Sequence, residues 1–100
     1  MKKRKVYFNG SFIDESDAKL SIYDSALMFG DMVFEMTRSF NQKQFLLDEH
    51  LDRLFASAQY VEISIPMSKK ELSQACLDTI EVNMPAFEKN DEHRLMINVT

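Results

Sequence analysis

The stretch FGDMVFEMTRSFNQKQFLLDEHLDRLFAS, Phe29 to Ser57, decides the fold. It reads as a strand, a tight turn, a second strand and a helix. Along Asp31 to Phe40 the side chains alternate between two faces, because successive residues of a strand point to opposite sides. Met32, Phe34, Met36, Arg38 and Phe40 share one face; Val33, Glu35, Thr37 and Ser39 share the other. Gly30 before the strand suits a backbone turn or a close approach. Asn41-Gln42-Lys43 reads as the turn into Gln44 to Leu47. Asp48 is the expected N-cap of the helix. Leu47, Leu51, Leu54, Phe55 and Ala58 recur at the helical period and define its buried stripe. His50, Arg53 and Ser57, three and four residues apart, form a line bordering that stripe. Three donors on one line suggest an anion site where the helix meets a strand face. A plain Glu49–Arg53 ion pair competes for the same guanidinium.

Toward the N-terminus, Val6-Tyr7-Phe8 and Ser11-Phe12-Ile13 flank Asn9-Gly10. Both turn residues tolerate positive φ, so the pattern predicts a hairpin with a two-residue turn. Asp14 to Lys19 reads as a loop, and Ser21-Ile22-Tyr23 as a short strand. Toward the C-terminus, Ile63-Ser64-Ile65-Pro66 ends the first helix. Ser68-Lys69-Lys70-Glu71 is a capping box, with Met67 and Leu72 placed as a hydrophobic staple. Leu72, Ala75, Cys76 and Ile80 give the second helix an apolar face. Met84 to Glu92 is a connecting loop, and Arg94 to Thr100 alternates as a strand with Leu95, Ile97 and Val99 on one side. The expected architecture is α+β: an antiparallel sheet of about five or six strands with two helices packed on one face. The sequence stops in mid-strand, which predicts further protein beyond Thr100.

One hundred residues make one domain, long enough for a single core. The net charge is −4 with acids and bases interspersed, against the concentrated basic face that nucleic acid requires. The run Lys2, Lys3, Arg4 and Lys5 reads as a solvated tail. No apolar run approaches a bilayer span, and the N-terminus lacks a signal-peptide core. A cytoplasmic location without membrane attachment is therefore expected. The lone Cys76 permits no internal disulfide and reads as a buried, inert thiol. Asn98-Val99-Thr100 matches a glycosylation acceptor pattern by chance.

On residue types alone, Arg53 is either a structural salt bridge or an anion site; its rigid fork of donors suits phosphate or carboxylate. His50 reads as a packed or capping histidine. Arg38 either recognises a carboxylate or simply emerges at a strand end. Phe34 and Met36 read as core rather than pocket wall. His50 and His93 lie far apart with no joining pattern, so no metal site is expected. No glycine-rich phosphate loop or serine-nucleophile elbow is present.

The order Val6-Tyr7-Phe8-Asn9-Gly10, Asp24, Phe29-Gly30-Asp31, Val33-Phe34-Glu35, Arg38 and Glu49-His50-Leu51-Asp52-Arg53-Leu54-Phe55-Ala56-Ser57-Ala58 resembles the N-terminal small domain of the class IV pyridoxal-phosphate aminotransferases. That family includes branched-chain and D-amino-acid aminotransferases and 4-amino-4-deoxychorismate lyase. Its tightest part is the GD-x-VFE-x-x-R strand followed by the EHLxRLxxSA helix.

The resemblance implies that Arg53 holds the phosphate of pyridoxal 5'-phosphate, and that Phe34, Arg38 and Phe29 fall on strand positions near the substrate pocket. It implies amino-acid and 2-oxo-acid substrates and a homodimer. The family's cofactor-bonding lysine belongs to a later, larger domain. None of the lysines here reads as occupying a dry pocket that would activate an amine. Residues 1–100 are thus expected to be a small domain with no catalytic residue of its own, completed by a lysine-bearing domain after residue 100. The alternatives are the lyase reaction on the same scaffold, or a non-catalytic binding or dimerisation module. Met32 departs from the small residue common among relatives, which loosens any inference about substrate preference.

Overall fold

The computed structural model describes residues 3–100; of the basic N-terminal run, Lys2 lies outside them. The chain runs β1 (Lys5–Phe8), β2 (Ser11–Asp14), α1 (Ser25–Phe29), β3 (Val33–Phe40), β4 (Lys43–Gln44), α2 (Leu47–Tyr60), α3 (Lys69–Asn83) and β5 (Arg94–Val99). The α+β antiparallel expectation holds. The five strands are divided, however, between a two-stranded ribbon, β1-β2, and a three-stranded sheet in the order β4-β3-β5.

The hairpin forms as its turn residues dictate. Asn9 and Gly10 have φ of 49° and 90°, and Phe8 pairs with Ser11 across a two-residue turn. Asn41 and Gln42 repeat that geometry between β3 and β4, at φ of 51° and 62°. Neither is glycine, and Glu92 holds the turn instead. Its carboxylate accepts from the Asn41 and Gln42 amides, each at 2.7 Å, and from Ser39 Oγ at 2.8 Å.

Three local expectations are corrected. Ser21-Ile22-Tyr23 is no strand: Ser21 Oγ accepts from the Tyr23 amide at 3.0 Å, closing a turn. The short helix α1 follows, capped by Asp24, whose carboxylate accepts from the Ala26 amide at 2.9 Å. Gly30 ends that helix in the left-handed region at φ 73°, so β3 starts at Val33 rather than at Phe29. Asp48 is not the cap of α2. Leu46, at φ 55°, holds that position, and Asp48 lies inside the first turn, where Lys69 Nζ reaches it at 2.8 Å and Asp52 at 2.7 Å. The Ser68–Glu71 capping box of α3 forms in both directions, at 3.1 and 3.0 Å.

The core sits where α2 and α3 meet the β3–β5 sheet. Leu51, Leu54 and Ala58 of α2 pack with Leu72 and Cys76 of α3 and with Val33, Leu95 and Ile97 of the sheet. The inward face of β3 is thus the one bearing Val33, Glu35, Thr37 and Ser39. Phe34 and Met36 are consequently not core; they stand 59% and 40% exposed on the opposite face. A strand half covered by helices buries one alternate set only. The set chosen here includes three polar residues, each with a partner: Thr37 bonds Gln44, Ser39 bonds Glu92, and Glu35 bonds α2. Polar groups removed from water are tolerated when so satisfied.

Candidate functional site

Glu35 is only 6% exposed, yet it is ionised and gripped from α2. Arg53 Nε donates to Glu35 Oε2 and Arg53 Nη2 to Oε1, both at 2.7 Å. His50 Nδ1 lies 2.7 Å from the same Oε1. The residue spacing explains the convergence. His50 and Arg53 share one side of α2, and that side faces the strand alternates to which Glu35 belongs. Hydrogen bonds from Arg53 hold the Glu35 carboxyl at about 2, with His50 helping, while burial opposes them. The same pairing raises Arg53 further above its already high value.

The Arg53 side chain is 67% exposed. Two of its five N–H groups serve Glu35; the others carry no hydrogen bond among the described residues. A guanidinium locked on one edge by a buried carboxylate and open on the other is pre-oriented for an external anion. Thus Arg53 does make a structural ion pair, but with Glu35 rather than Glu49, and the pair leaves donors free. Ser57, the third member of the expected line, is half-buried and does not join the cluster. Glu35 itself was not among the candidates from sequence. The signal was present, since a carboxylate flanked on its strand face by Val33 and Thr37 needs a cationic partner once that face is covered.

Phe34 and Arg38 lie on the far side of β3 from Glu35. The strand therefore separates them from the Arg53 cluster, and the two groups approach one another only around its edge. β4 pairs with Ser39 and Phe40, and the Phe45 amide donates to the Arg38 carbonyl at 2.9 Å, which leaves that edge without a partner strand along Val33 to Thr37. Arg38 stacks over the Phe40 ring at 4.2 Å, and its Nε donates to the Ser39 carbonyl at 3.2 Å. Phe29 is the last residue of α1 and 73% exposed, so it is not a strand residue as expected. A surface groove of about 700 Å³ lies between α2 and residues 62–65 and is lined by none of Arg53, Phe34, Arg38 or Phe29. Among the described residues no cluster of three His, Cys, Asp or Glu is arranged to hold a metal. No described helix is long and apolar enough to cross a membrane.

A small α+β domain whose helix covers one sheet face and carries an arginine anchored there by a buried carboxylate, with the opposite face open, is the class defined by this geometry. The chain belongs to the class IV aminotransferase family, described as "Amino-transferase class IV", which it matches over residues 32–100. It is 47% identical over 79 residues to a Methanocaldococcus jannaschii protein provisionally named a branched-chain-amino-acid aminotransferase, covering 79% of this chain and 27% of that protein. It is 43% identical over 70 residues to a D-alanine aminotransferase of Listeria monocytogenes, covering 70% of this chain and 24% of the relative.

Among solved structures, the branched-chain aminotransferase of Thermoproteus uzoniensis with norvaline superposes with a TM-score of 0.79 at 29% identity. That match covers 97% of this chain and 32% of the other. The T.th. branched-chain aminotransferase with pyridoxamine 5'-phosphate superposes at 0.76 and 31% identity, covering 83% and 28%. The chain thus spans about a quarter to about a third of the length of these proteins.

Proposed function

We propose that this chain is the small domain, residues 1–100, of a pyridoxal-phosphate-dependent aminotransferase that moves an amino group between an amino acid, branched-chain-like or D-configured, and a 2-oxo acid. A larger, lysine-bearing domain follows residue 100, and the enzyme works as a cytoplasmic homodimer. Family membership supports the reaction, and relatives of both substrate types support the pair of amino-acid classes. The observation that carries the reading is the half-open guanidinium of Arg53.

The residues present fit the cofactor. A phosphate needs several directed donors beside a fixed positive charge, and Arg53 offers its outer N–H groups while Glu35 and His50 fix its plane. Without Glu35 a long, solvated arginine would have to be ordered by the ligand itself, at a cost in rotamer freedom. Arg53 binds the phosphate; Phe34 and Arg38 form one wall of the substrate pocket, with Phe29 at its rim. When bound, the cofactor's pyridine ring supplies the electron sink, and the protein supplies position and charge.

The test uses the full-length enzyme. Arg53→Ala strands the buried Glu35 carboxylate, which destabilises by itself, so the Glu35→Gln/Arg53→Ala double variant is measured beside it. Both are expected to fold by circular dichroism yet lose most of the cofactor's visible absorbance. Folded double variant with the parent's occupancy overturns the assignment. Amino-acid-dependent conversion of a 2-oxo acid, against pyruvate release from aminodeoxychorismate, separates transfer from lysis.

A further inference from the structure

Two hairpins of this chain turn on an asparagine in the left-handed region. Asn9-Gly10 has φ of 49° and 90°, and Asn41-Gln42 has 51° and 62°. In the second turn both amides are held, since those of Asn41 and Gln42 donate to the Glu92 carboxylate at 2.7 Å each. In the first, the Gly10 amide carries no hydrogen bond among the described residues. Asn9 and Gly10 are exposed, and a Cβ added to Gly10 would meet nothing within 4 Å. Asn9 is also the one asparagine of this sequence that is followed by glycine. Two-residue hairpins use two turn classes, which differ by a flip of the central peptide plane. The flip takes ψ of the first turn residue from about +30° to about −120° and reverses the sign of φ at the second, leaving the first φ near +60°. Asn9 already has that shared φ, and glycine accepts either sign at no steric cost. At ψ near −120° the Gly10 nitrogen eclipses the Asn9 Cβ, the position from which it reaches the side-chain carbonyl. No ladder bond opens, because those of the closing Phe8–Ser11 pair lie outside the plane that turns. The same flip between Asn41 and Gln42 would break the Gln42 bond to Glu92.

We propose that the Asn9-Gly10 tip is a self-modifying site, at which the folded chain converts Asn9 to isoaspartate. The Gly10 nitrogen attacks Asn9 Cγ and the Cγ–Nδ2 bond breaks. The proton of the Gly10 amide leaves with the side-chain nitrogen as ammonia, and a five-membered succinimide remains. Water then adds to one of the two ring carbonyl carbons. Opening at the main-chain carbon reroutes the chain through Cβ and Cγ and frees the α-carboxylate, which is isoaspartate; opening at the other carbon gives aspartate. Overall one water is taken up and one ammonia is lost, with no oxidant or reductant. Isoaspartate lengthens the backbone of the turn, so Phe8 and Ser11 no longer close it in register. The other end of the ribbon stays fixed by α3. Asn83 Oδ1 accepts from the Lys5 amide at 2.7 Å, and its Nδ2 donates to the Lys5 carbonyl at 2.9 Å. The modified ribbon therefore frays from its tip while remaining docked. Its exposed α-carboxylate is a substrate for enzymes that methylate isoaspartyl carboxylates with a sulfonium methyl donor. The site depends on the hairpin alone and not on the aminotransferase reading.

The full-length protein is incubated in mildly alkaline buffer, folded in one sample and unfolded by urea in another. Peptide mapping follows the exchange of NH2 for OH at each asparagine, and isoaspartate is counted by methyl uptake with an isoaspartyl carboxyl methyltransferase. In the folded protein Asn9 is expected to convert at least about tenfold faster than Asn41, whose plane turns only by breaking a charge-assisted bond. It should also stay within about tenfold of its own rate in urea, since the turn reorients locally without opening the ribbon. Asn9→Gln should abolish methyl uptake at the tip. The isoaspartyl form, separated by chromatography, should exchange its β1 and β2 amides faster than the parent while α2 and β3 exchange as before. Folded Asn9 converting no faster than Asn41, or slower than its rate in urea by more than about tenfold, would mean that the turn guards this amide, and overturns the proposal. Unchanged exchange in the modified ribbon overturns the fraying.

Discussion

Glu35 and Arg53, 18 residues apart in sequence, meet through two hydrogen bonds of 2.7 Å, with the carboxylate buried under α2 and the guanidinium facing water. This asymmetry determines what each contributes. The carboxyl lies at about 2 in the folded protein against an ordinary 4.5, so folding favours its charged form. A depressed carboxyl stabilises the fold fully above its unfolded value, and that stabilisation is lost as pH falls from about 4.5 toward 2. Its size at neutral pH is on the order of 2 kcal/mol once the solvent around Arg53 is allowed for. Glu35→Gln should therefore be less stable than the parent by about that amount at pH 7, with the two stabilities converging as the pH approaches 2. Urea midpoints across that range check it. A constant difference down to pH 2 would assign the loss to packing instead.

Leu54, the next residue along α2, performs the opposite task. It is fully buried among Val33, Leu95, Ile97 and the α3 side chains. Leu54→Ala removes buried methyl groups and leaves a cavity that a sheet and two helices cannot collapse around. It should cost about 3 kcal/mol while leaving cofactor occupancy of the folded fraction unchanged. Chemical denaturation and absorbance on the same sample separate the two effects, and a cofactor loss in folded protein would contradict this division of labour between adjacent residues.

How much of this was legible in sequence depended on whether an interaction was local. The Asn9-Gly10 turn, the Ser68–Glu71 capping box and the Leu51–Leu54–Ala58 stripe were readable because a few neighbouring residues determine each. The α+β class followed from those periods. The inward face of β3 was not readable, since both alternates contain apolar residues and the choice is made by distant partners: α2 for Glu35, and Glu92 for Ser39. Leu46 displaced Asp48 as the cap through a left-handed backbone that no leucine advertises. The segment before Gly30 looked strand-like because Ile22 and Tyr23 favour strands, but Asp24 nucleated a helix there. In the candidate site, Arg53 and His50 were recognisable from helical spacing. Their partner Glu35 became visible only once the folded sheet turned it toward α2.

Cys76 offers a probe of the core that leaves the site untouched. Its thiol is 4% exposed between Leu72 and Ile80 on the inner face of α3, and burial pushes it up to about 11. The thiolate is the reactive form. At pH 8 a thiol at 11 is ionised about one part in a thousand, against roughly a quarter for a free cysteine near 8.5. Ionisation alone thus slows alkylation by more than a hundredfold, and the packing of α3 against the sheet blocks the reagent's approach as well. Native protein at pH 8 should resist iodoacetamide for many times the half-life of a free thiol. Its labelling rate should rise with urea in parallel with the population of the unfolded state. Leu54→Ala, which lowers global stability and keeps Cys76 in the sequence, should then label faster by the factor its stability loss predicts. Rapid labelling of the unperturbed protein, independent of urea, would mean that α3 leaves the sheet on its own, and that the core does not open as one unit.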